Sequence, residues 1–289
     1  MDTQNLSAFL LVAEHASFSA AADALHLTQP AVSKRIAVLE TQLGAPLFDR
    51  IGRDVSLTEA GRALLPHARA IAGHLDQARQ SIVDLSGGVS GQLRLGTSHH
   101  IGLHRLPPIL RHYSETFPEV ALDIDFMDSE QAFEEISRGR VELAVVTLPP
   151  EADPAMLTRQ VWRDPLDFMA STDHPLCKAK HLSLSELAEH PVILPGLGTF
   201  TGRIARQLFE AESLKLDITL ATNYLETIRM MAGVGLGWTL LPRSMLQPPL
   251  RALPVSGVAP ERDLGLVYHR NRRLSNAAQA FIDLLDAET

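Results

Sequence analysis

A change of pattern at the glycine-rich segment GGVSG, residues 87–91, constrains the fold of this chain most strongly. Before this segment, apolar residues recur mainly at helical spacing. After it, short strand-like runs alternate with helical segments as far as the C-terminus. A stretch rich in Gly and Ser is flexible and often joins domains. The sequence therefore predicts a mainly helical N-terminal part and a separate α/β C-terminal part.

Residues 1–57 are predicted to form three short helices followed by a β-hairpin that turns at Gly52. The third helix is predicted to begin after Thr28 as its N-cap, to carry Pro30 in its first turn and to end at Gly44. Its buried stripe is predicted at Val32, Ile36, Leu39 and Leu43. The second helix precedes it after a short turn, which is the spacing of a helix-turn-helix.

The face of the third helix opposite its buried stripe is suited to DNA. Small side chains permit close approach to a groove, hydroxyl and amide groups reach base edges, and cations neutralise phosphates. Lys34 lies on this face with Ser33 and Arg35 on its flanks, while Arg50 and Arg53 of the hairpin could contact phosphates. The alternative is an ordinary solvated helix face. Because the net charge is −8, DNA binding would depend on where the cations lie and not on their number.

A long helix is predicted to follow Thr58 and Glu59. Its apolar residues step alternately by four and three, which is typical of a helix that pairs with another helix. The alternative is an amphipathic helix packed on its own domain; the unbroken period and the lack of an adjacent helix favour dimerisation. Pro66 is predicted to bend the helix or to mark a junction. The predicted dimerisation residues are Leu64, Ala68, Ile71, Leu75, Ala78 and Ile82.

Residues 91–289 begin with three strands that alternate with helices. This order predicts a parallel sheet with right-handed crossovers. A second series of strands and helices follows, more than one small domain usually needs. Two α/β lobes with crossing connections account for them all: lobe I at about 91–163 and 265–289, and lobe II at about 166–262.

Five motifs between Ala21 and Gly61 identify a known family. AA-x-x-L, TQPAVS, I-x-x-LE-x-x-LG, LF-x-R and LT-x-AG stand in this order, and with their spacing they resemble the N-terminal domain of LysR-type transcriptional regulators. The resemblance extends over the whole chain. It implies a winged helix-turn-helix at 1–57, a dimerising linker helix at 58–87 and a two-lobe effector domain of the periplasmic-binding-protein fold at 91–289. By the same resemblance the DNA-reading residues are Thr28, Gln29, Pro30, Ser33, Lys34 and Arg35.

The resemblance also implies what the protein would bind. The expected partners are double-stranded promoter DNA, further copies of the chain in a homodimer or tetramer, RNA polymerase, and a small-molecule effector of unknown identity. The effector would bind between the lobes and change the bend of the DNA. No other cofactor and no catalytic residue is expected, since nucleophile-elbow, phosphate-loop and HExxH patterns are absent from the sequence. The segment GVGLG, residues 233–237, runs from helix to strand, and it predicts a turn because a phosphate loop runs from strand to helix.

Polar residues at the ends of predicted strands indicate where a small anion could bind. The first strand of the C-terminal part ends in Thr97-Ser98-His99-His100, near the start of a helix, where hydroxyl and N–H groups can hold an anion. The alternative is that such hydroxyls only cap helices. The predicted effector-binding residues are Thr97, Ser98, His99, His100, Ser129, Thr147, Gly198, Thr199 and Thr201.

His100 and His104 lie one helical turn apart, but without carboxylate or thiol support they do not predict a metal site. Cys177 is the only cysteine, which excludes an internal disulfide. Because a signal-peptide pattern and a bilayer-spanning apolar run are both lacking, a cytoplasmic location with no membrane partner is expected. A solute-binding protein is the rival interpretation of residues 91–289 alone; the N-terminal part and the missing signal peptide argue against it.

Overall fold

A computed structural model describes residues 2–51, 54–84 and 87–288. The chain divides into two units, an N-terminal one that extends to about residue 86 and a C-terminal one that contains most of the rest.

The N-terminal unit begins with three helices: α1 (Thr3–His15), α2 (Phe18–Ala24) and α3 (Gln29–Leu43). The hydroxyl of Ser17 caps α2 by accepting a hydrogen bond from the backbone N–H of Ala20. Thr28 occupies the N-cap position of α3, as predicted, but its hydroxyl forms no capping bond. Gly44 ends α3 with φ at +70°, a left-handed conformation that glycine adopts without strain.

The predicted buried stripe of α3 is confirmed for its first three residues. Val32, Ile36 and Leu39 are fully buried in one core with apolar residues of α1 and α2, whereas Leu43 is exposed. Two antiparallel strands complete the wing, β1 (Phe48–Ile51) and β2 (Asp54–Leu57). The helix-turn-helix therefore has its own apolar core.

Helix α4 (Glu59–Asp84) follows the wing and continues through Pro66 without a break. The hydroxyl of Thr58 accepts from the N–H of Gly61 at 3.0 Å and donates to the carbonyl of Pro46 at 2.7 Å. A Cβ at Gly61 would lie 2.2 Å from the carbonyl oxygen of Leu47, so glycine is required where α4 passes the start of the wing.

The apolar seam of α4 has two different halves. Leu64, Ala68 and Ile71 pack into the core of the N-terminal unit, where α1 is in contact with α4. The expectation that no adjacent helix lies against this part is therefore wrong, because α1 fills that place. Further along, Leu75 is 40% exposed and Ile82 is 71% exposed, and Ala78 is exposed as well.

Lobe I of the C-terminal unit contains the predicted parallel strands. Strand β3 lies between β4 and β5 and is parallel to both, with ranges β3 (Gly91–Thr97), β4 (Val120–Phe126) and β5 (Leu143–Thr147). Four helices belong to this lobe: α5 (His99–His104), α6 (Leu106–Thr116), α7 (Ser129–Ser137) and the C-terminal α11 (Asn276–Glu288). The sequence did not separate the short α5 from α6.

Lobe II contains the second series of elements. Its helices are α8 (Leu184–Ala188), α9 (Phe200–Ala211) and α10 (Leu225–Gly233). Its strands are β7 (Val192–Leu194), β8 (Ile218–Ala221), β9 (Trp238–Pro242) and β10 (Leu250–Ala252). Short 3-10 turns occur at Pro175–Lys178 and Arg243–Met245. GVGLG forms a turn, as predicted, with Gly235 at a φ of +89°. Trp238 lies at the centre of the core with Phe168 and Phe209, and its indole N–H donates to the carbonyl of Leu187.

Two long strands join the lobes: β6 (Met156–Ser171) and β11 (Glu261–His269). The first part of β6, as far as Pro165, pairs with β11, and its last six residues pair with β9 and β10. The sheet order β4-β3-β5-β11-β6-β9-β7-β8 therefore passes from one lobe into the other through β6.

Candidate DNA-binding surface and inter-lobe cleft

The predicted DNA-reading residues form one solvated face of α3. Thr28, Gln29, Pro30 and Lys34 are exposed, and Ser33 and Arg35 are partly exposed. The amide of Gln29 donates to the hydroxyl of Ser33 at 2.9 Å, and the Arg35 guanidinium donates to Gln4 of α1 at 2.9 Å. Lys34 forms no ion pair with the described part of the chain. Because these contacts are at the surface, most of the polar groups on this face can exchange water for a partner.

Of the two wing arginines, one lies in a described strand. Arg50 lies in β1 at the position that pairs with Val55 of β2. Arg53 lies outside the described residues.

A cavity of about 50 Å³ lies between the two lobes of the C-terminal unit. Its walls come from the ends of β3, β5 and β7, from the starts of α5, α7, α9 and α10, and from β11. Most of the predicted effector-binding residues line it: Ser98, His99, His100, Ser129, Thr147, Thr199 and Thr201.

Two predicted residues do not line the cavity. Thr97 is fully buried, and its hydroxyl donates to the carbonyl of Val145 on the neighbouring strand at 2.9 Å. Thr97 precedes the cavity residue Ser98 in the chain. Because successive side chains of a strand point to opposite faces, the side chain of Thr97 points away from the cavity. Gly198 also lies outside the cavity lining.

The hydroxyls that line the cavity have different roles. Thr199 caps α9 by accepting from the N–H of Gly202, and Ser129 accepts from the N–H of Thr147, so both hydroxyls have structural partners. The alternative interpretation, helix capping, therefore holds for Thr199, whereas the hydroxyl of Ser129 binds the end of the neighbouring strand β5. The hydroxyls of Ser98 and Thr147 form no hydrogen bond with a described residue, and they are available to a ligand.

Polar contacts connect the lobes around the cavity. The amide of Asn223 donates to Asp128 at 2.6 Å, and the backbone N–H of Phe200 donates to the Glu130 carboxylate. The Phe200 contact places a lobe I carboxylate at the N-terminus of α9, where the helix dipole favours negative charge. Nearby, the ring of His99 stacks on Phe126 at 5.3 Å between ring centroids.

Arg262 is a cavity residue that the sequence did not indicate. It lies on β11 directly opposite Asp164 of β6, and its Nε donates to the Asp164 carboxylate at 2.8 Å. Its Nη1 donates to the hydroxyl of Thr201 at 3.0 Å, and Arg105 approaches the other carboxylate oxygen at 3.4 Å. Burial lowers the pKa of Arg262, and the Asp164 carboxylate opposes that shift. Both side chains are almost completely buried, so they form a compensated charge pair where the lobes join.

His100 is the second unusual group of the cavity. It is 5% exposed, and neither ring nitrogen has a hydrogen-bond partner among the described residues. Burial, followed by the positive charge of Arg262, lowers the pKa of His100 to about 3. The ring is therefore neutral near pH 7, with one nitrogen lone pair available.

Both units match models of one protein family. The model described as "Bacterial regulatory helix-turn-helix protein, lysR family" matches residues 3–62, and the model described as "LysR substrate binding domain" matches residues 86–289. The second model covers more than half of the chain. The chain therefore belongs to the LysR family of transcriptional regulators, which bind DNA through the helix-turn-helix and are not enzymes.

Particular relatives resemble the chain over nearly its full length. The HTH-type transcriptional activator CmpR of Synechocystis is 32% identical over 284 residues, covering 96% of this chain and 93% of CmpR. A RuBisCO operon transcriptional regulator of Acidithiobacillus ferrooxidans is 32% identical over 288 residues, covering 98% of this chain and 92% of the relative.

Solved structures agree with the fold. Full-length CbnR in complex with its target DNA has a TM-score of 0.73 at 20% identity and covers 100% of both chains. A full-length variant of OxyR from Pseudomonas aeruginosa has a TM-score of 0.68 at 24% identity, covering 99% of this chain and 94% of OxyR. The predicted winged helix-turn-helix with a two-lobe α/β domain is thus confirmed. In the part of the chain that the structure describes, no helix is long and apolar enough to cross a membrane.

Proposed function

We propose that this chain regulates transcription as a homodimer or tetramer that reads promoter DNA with paired α3 helices and responds to a small anion. The proposal assigns residues 1–57 to DNA reading, 58–87 to dimerisation and 91–289 to effector binding. The observation that carries it is the solvated polar face of α3 within a helix-turn-helix that has its own core. Polar groups that the fold does not use are what base and phosphate contacts require.

Six residues of α3 and its N-cap are proposed to read the DNA. Gln29 and Ser33 present amide and hydroxyl groups at the start of the helix, the part that contacts base edges in helix-turn-helix proteins. Lys34 and Arg35 supply positive charge in a protein with an acidic balance, with Arg50 and Arg53 proposed as phosphate contacts from the wing. The full set comprises Thr28, Gln29, Pro30, Ser33, Lys34 and Arg35 with the two wing arginines.

Binding-site selection from random duplexes by the full chain tests DNA reading. We expect enrichment of one sequence with two similar half-sites, as a two-fold symmetric dimer requires. Gln29→Ala should then relax the base preference within each half-site, whereas Lys215→Ala, an exposed cation of lobe II, should change nothing. Recovery of no preferred sequence at low salt, where phosphate contacts are strongest, would contradict the proposal.

The second half of α4 is proposed as the dimer contact. Leu75, Ala78 and Ile82 continue the apolar seam beyond the part that packs on α1, and they are exposed in the single chain. An exposed apolar stripe with a heptad period is the surface of a helix that pairs. Ile82→Asp should lower the molecular mass measured by light scattering to that of a smaller assembly, while Arg69→Asp, outside the seam, should not. Unchanged mass for Ile82→Asp would argue against pairing through this seam.

The inter-lobe cavity is proposed to bind the effector, and its chemistry favours a small anion. The free hydroxyls of Ser98 and Thr147, the buried Arg262 and the start of α9 all face it or border it. Glu130 already places a carboxylate at the start of α9. An effector anion would compete with Glu130 for this position, and so could change the arrangement of the lobes and the bend of the bound DNA. Such a change requires different affinities of the anion for two arrangements.

Thermal shift of the full chain tests the effector site. The probes are inorganic phosphate, bicarbonate, small dicarboxylates and phosphorylated sugar acids, with uncharged sugars as controls. An anion that binds only the folded chain raises Tm in a concentration-dependent way. The double variant Ser98→Ala, Thr147→Val should lose the Tm increase and still bind the selected duplex. If no anion raises Tm, or if the double variant responds like the wild type, the cavity does not bind an anion.

Contact with RNA polymerase is a further proposal, testable by co-sedimentation on promoter DNA.

A further inference from the structure

Three potential metal ligands from both lobes meet beside the cavity. His100 and His104 lie one turn apart on α5 of lobe I, and Glu226 lies in the first turn of α10 of lobe II. One donor atom from each residue lies within 4.8 Å of the other two. In the sequence, only His100 and His104 are near enough to be recognised as a pair. The fold adds the carboxylate of Glu226, which lies more than a hundred residues further along the chain.

His100 supplies an independent indication of a ligand. A buried polar group normally has a hydrogen-bond partner, because an unsatisfied one costs about 1–3 kcal/mol. Both ring nitrogens of this buried histidine lack one among the described residues. Its ring also lies 4.8 Å from that of His104, measured between centroids, so its unused nitrogen is near the other two donors.

We propose that His100, His104 and Glu226 bind one divalent transition-metal ion, and that this ion joins the two lobes. Two imidazole nitrogens and one carboxylate are a donor set that Zn²⁺ accepts while a fourth position stays open. Ni²⁺, Co²⁺ and Cu²⁺ share the preference for imidazole, whereas Mg²⁺ and Ca²⁺ prefer oxygen ligands alone. The proposal concerns the metal alone and does not depend on the anion site.

The carboxylate of Glu226 suits a metal ion. Burial would raise the pKa of Glu226, but the hydrogen bonds from His104 and Arg229 outweigh it and lower that pKa, so the carboxylate is ionised near pH 7. Arg229 donates to the second carboxylate oxygen, Oε2, at 3.0 Å, and such hydrogen bonds commonly orient metal-bound carboxylates.

Small side-chain movements would complete the coordination. With metal–ligand bonds near 2.1 Å, two donors of a tetrahedral site lie roughly 3.4 Å apart. His104 Nε2 and Glu226 Oε1 are 2.8 Å apart and must separate by about 0.6 Å. No two of the three donor atoms are more than 4.8 Å apart, so the widest pair must close by roughly 1.4 Å at most. His104 and Glu226 are both partly exposed, so their side chains can rotate without disturbing the core.

In the chain as described, the hydrogen bond between His104 and Glu226 joins α5 to α10, and the ring of His99 packs on Tyr224, the N-cap of α10. The ion would add a coordinate link between the same two helices. An ion that binds both lobes in this arrangement stabilises it over any arrangement that separates them. Metal availability would then act as a second input to the effector domain.

Isothermal titration of the untagged full chain with Zn²⁺ tests the proposal, with Co²⁺ absorption in the visible region as a probe of imidazole coordination. We expect one ion per chain at this site and a metal-dependent rise in Tm. His104→Ala and Glu226→Gln should each weaken Zn²⁺ binding at least about tenfold and reduce the rise in Tm. Both positions are partly exposed, so these variants avoid the packing loss that His100→Ala would cause.

His112→Ala is the matched control. His112 is also an exposed histidine that contacts a carboxylate, that of Glu288, but it belongs to no group of three metal donors among the described residues. Its substitution should leave Zn²⁺ affinity unchanged. Absence of Zn²⁺ binding to the wild type, or equal affinity in the wild type, His104→Ala and Glu226→Gln, would overturn the proposal.

Discussion

The α3 face and the inter-lobe cavity are both rich in polar side chains, but the fold uses those side chains differently. On α3, the polar residues come from one continuous segment, lie at the surface and make few contacts. Around the cavity they come from several elements of two lobes, and many of them already hydrogen-bond to another part of the C-terminal unit. A substitution on α3 should therefore affect binding far more than folding, and a substitution in the cavity should affect both.

The largest expected effect is at the buried charge pair of the cavity. Asp164→Asn keeps the size of the side chain but leaves Arg262 without its counter-charge, and removal of one partner of a buried pair destabilises a protein by about 3–5 kcal/mol. The change in the free energy of unfolding is measured with urea, from the unfolding transition of the C-terminal unit. Glu261→Gln is the control, since its pair with Arg163 is exposed and should contribute less than about 1 kcal/mol. Equal effects of the two substitutions would show that the cavity tolerates polar changes as a surface does.

The next effect concerns the pH dependence that His100 confers. Its pKa is about 3 in the folded chain and near 6.5 when unfolded, so the unfolded chain binds more protons between these values. The free energy of unfolding should therefore fall as the pH is lowered from 6.5 towards 3, by up to about 1.4 kcal/mol per pH unit from this group. Above pH 6.5 the effect is absent. His100→Asn should flatten the dependence measured by urea unfolding, whereas an equally steep curve for this variant would assign the dependence to other groups. His112→Asn is the control.

Substitutions on α3 should show the opposite balance. Arg35→Ala and Lys34→Ala should each weaken binding to the selected duplex by about 1–3 kcal/mol if they contact bases. A residue that contacts phosphate should instead reduce the salt dependence of binding, by about 0.9 in the slope of log K against log salt. The free energy of unfolding, measured by thermal unfolding, should change by less than about 0.5 kcal/mol in either case, as for most surface residues. A large loss of stability would mean that this face supports the fold.

The smallest effect is expected where the cavity itself is exposed. Asn223→Ala removes the amide N–H that donates to Asp128 across the cleft and the amide oxygen that accepts from the N–H of Gly196, at a site open to water. Because water can replace both bonds, the free energy of unfolding should fall by no more than about 1 kcal/mol. Thermal unfolding of the C-terminal unit measures it, with Thr222→Ala beside it as the control. A loss as large as that of Asp164→Asn would indicate that the hydrogen bonds of Asn223 support the fold.

The sequence was sufficient for the parts of the fold whose signals are local. The helix-turn-helix, the end of α3 at Gly44 and the parallel strands of lobe I follow from spacing and caps within a few residues. The first part of β6 was missed because polar residues such as Arg159 and Gln160 interrupt its apolar pattern at the place where the strand pairs with β11. The packing of α4 on α1 was missed because a heptad pattern does not specify which helix it meets.

The candidate site was only partly predictable for a related reason. Polar strand ends indicated that Ser98, Thr147 and Thr201 would lie at one edge, since carboxyl ends of parallel strands meet there. Arg262 and Glu226 carry no such signal, because a charged residue in a polar segment is usually exposed. Their positions depend on the pairing of β6 with β11 and on the approach of the lobes, which are contacts across about a hundred residues of chain.

The passage of β6 through both lobes has a mechanical consequence. Two lobes connected by a flexible loop can rotate freely relative to one another. These lobes are connected within hydrogen-bonded strands. A rotation between them must therefore twist the hydrogen-bonded strand pairs of β6 around Pro165 and Leu166. Twisting stretches hydrogen bonds on both sides of that point, so the restoring force grows with the angle. Movements of this domain should therefore be small and elastic, and a signal leaving the cleft would be a slight torsion rather than a wide opening.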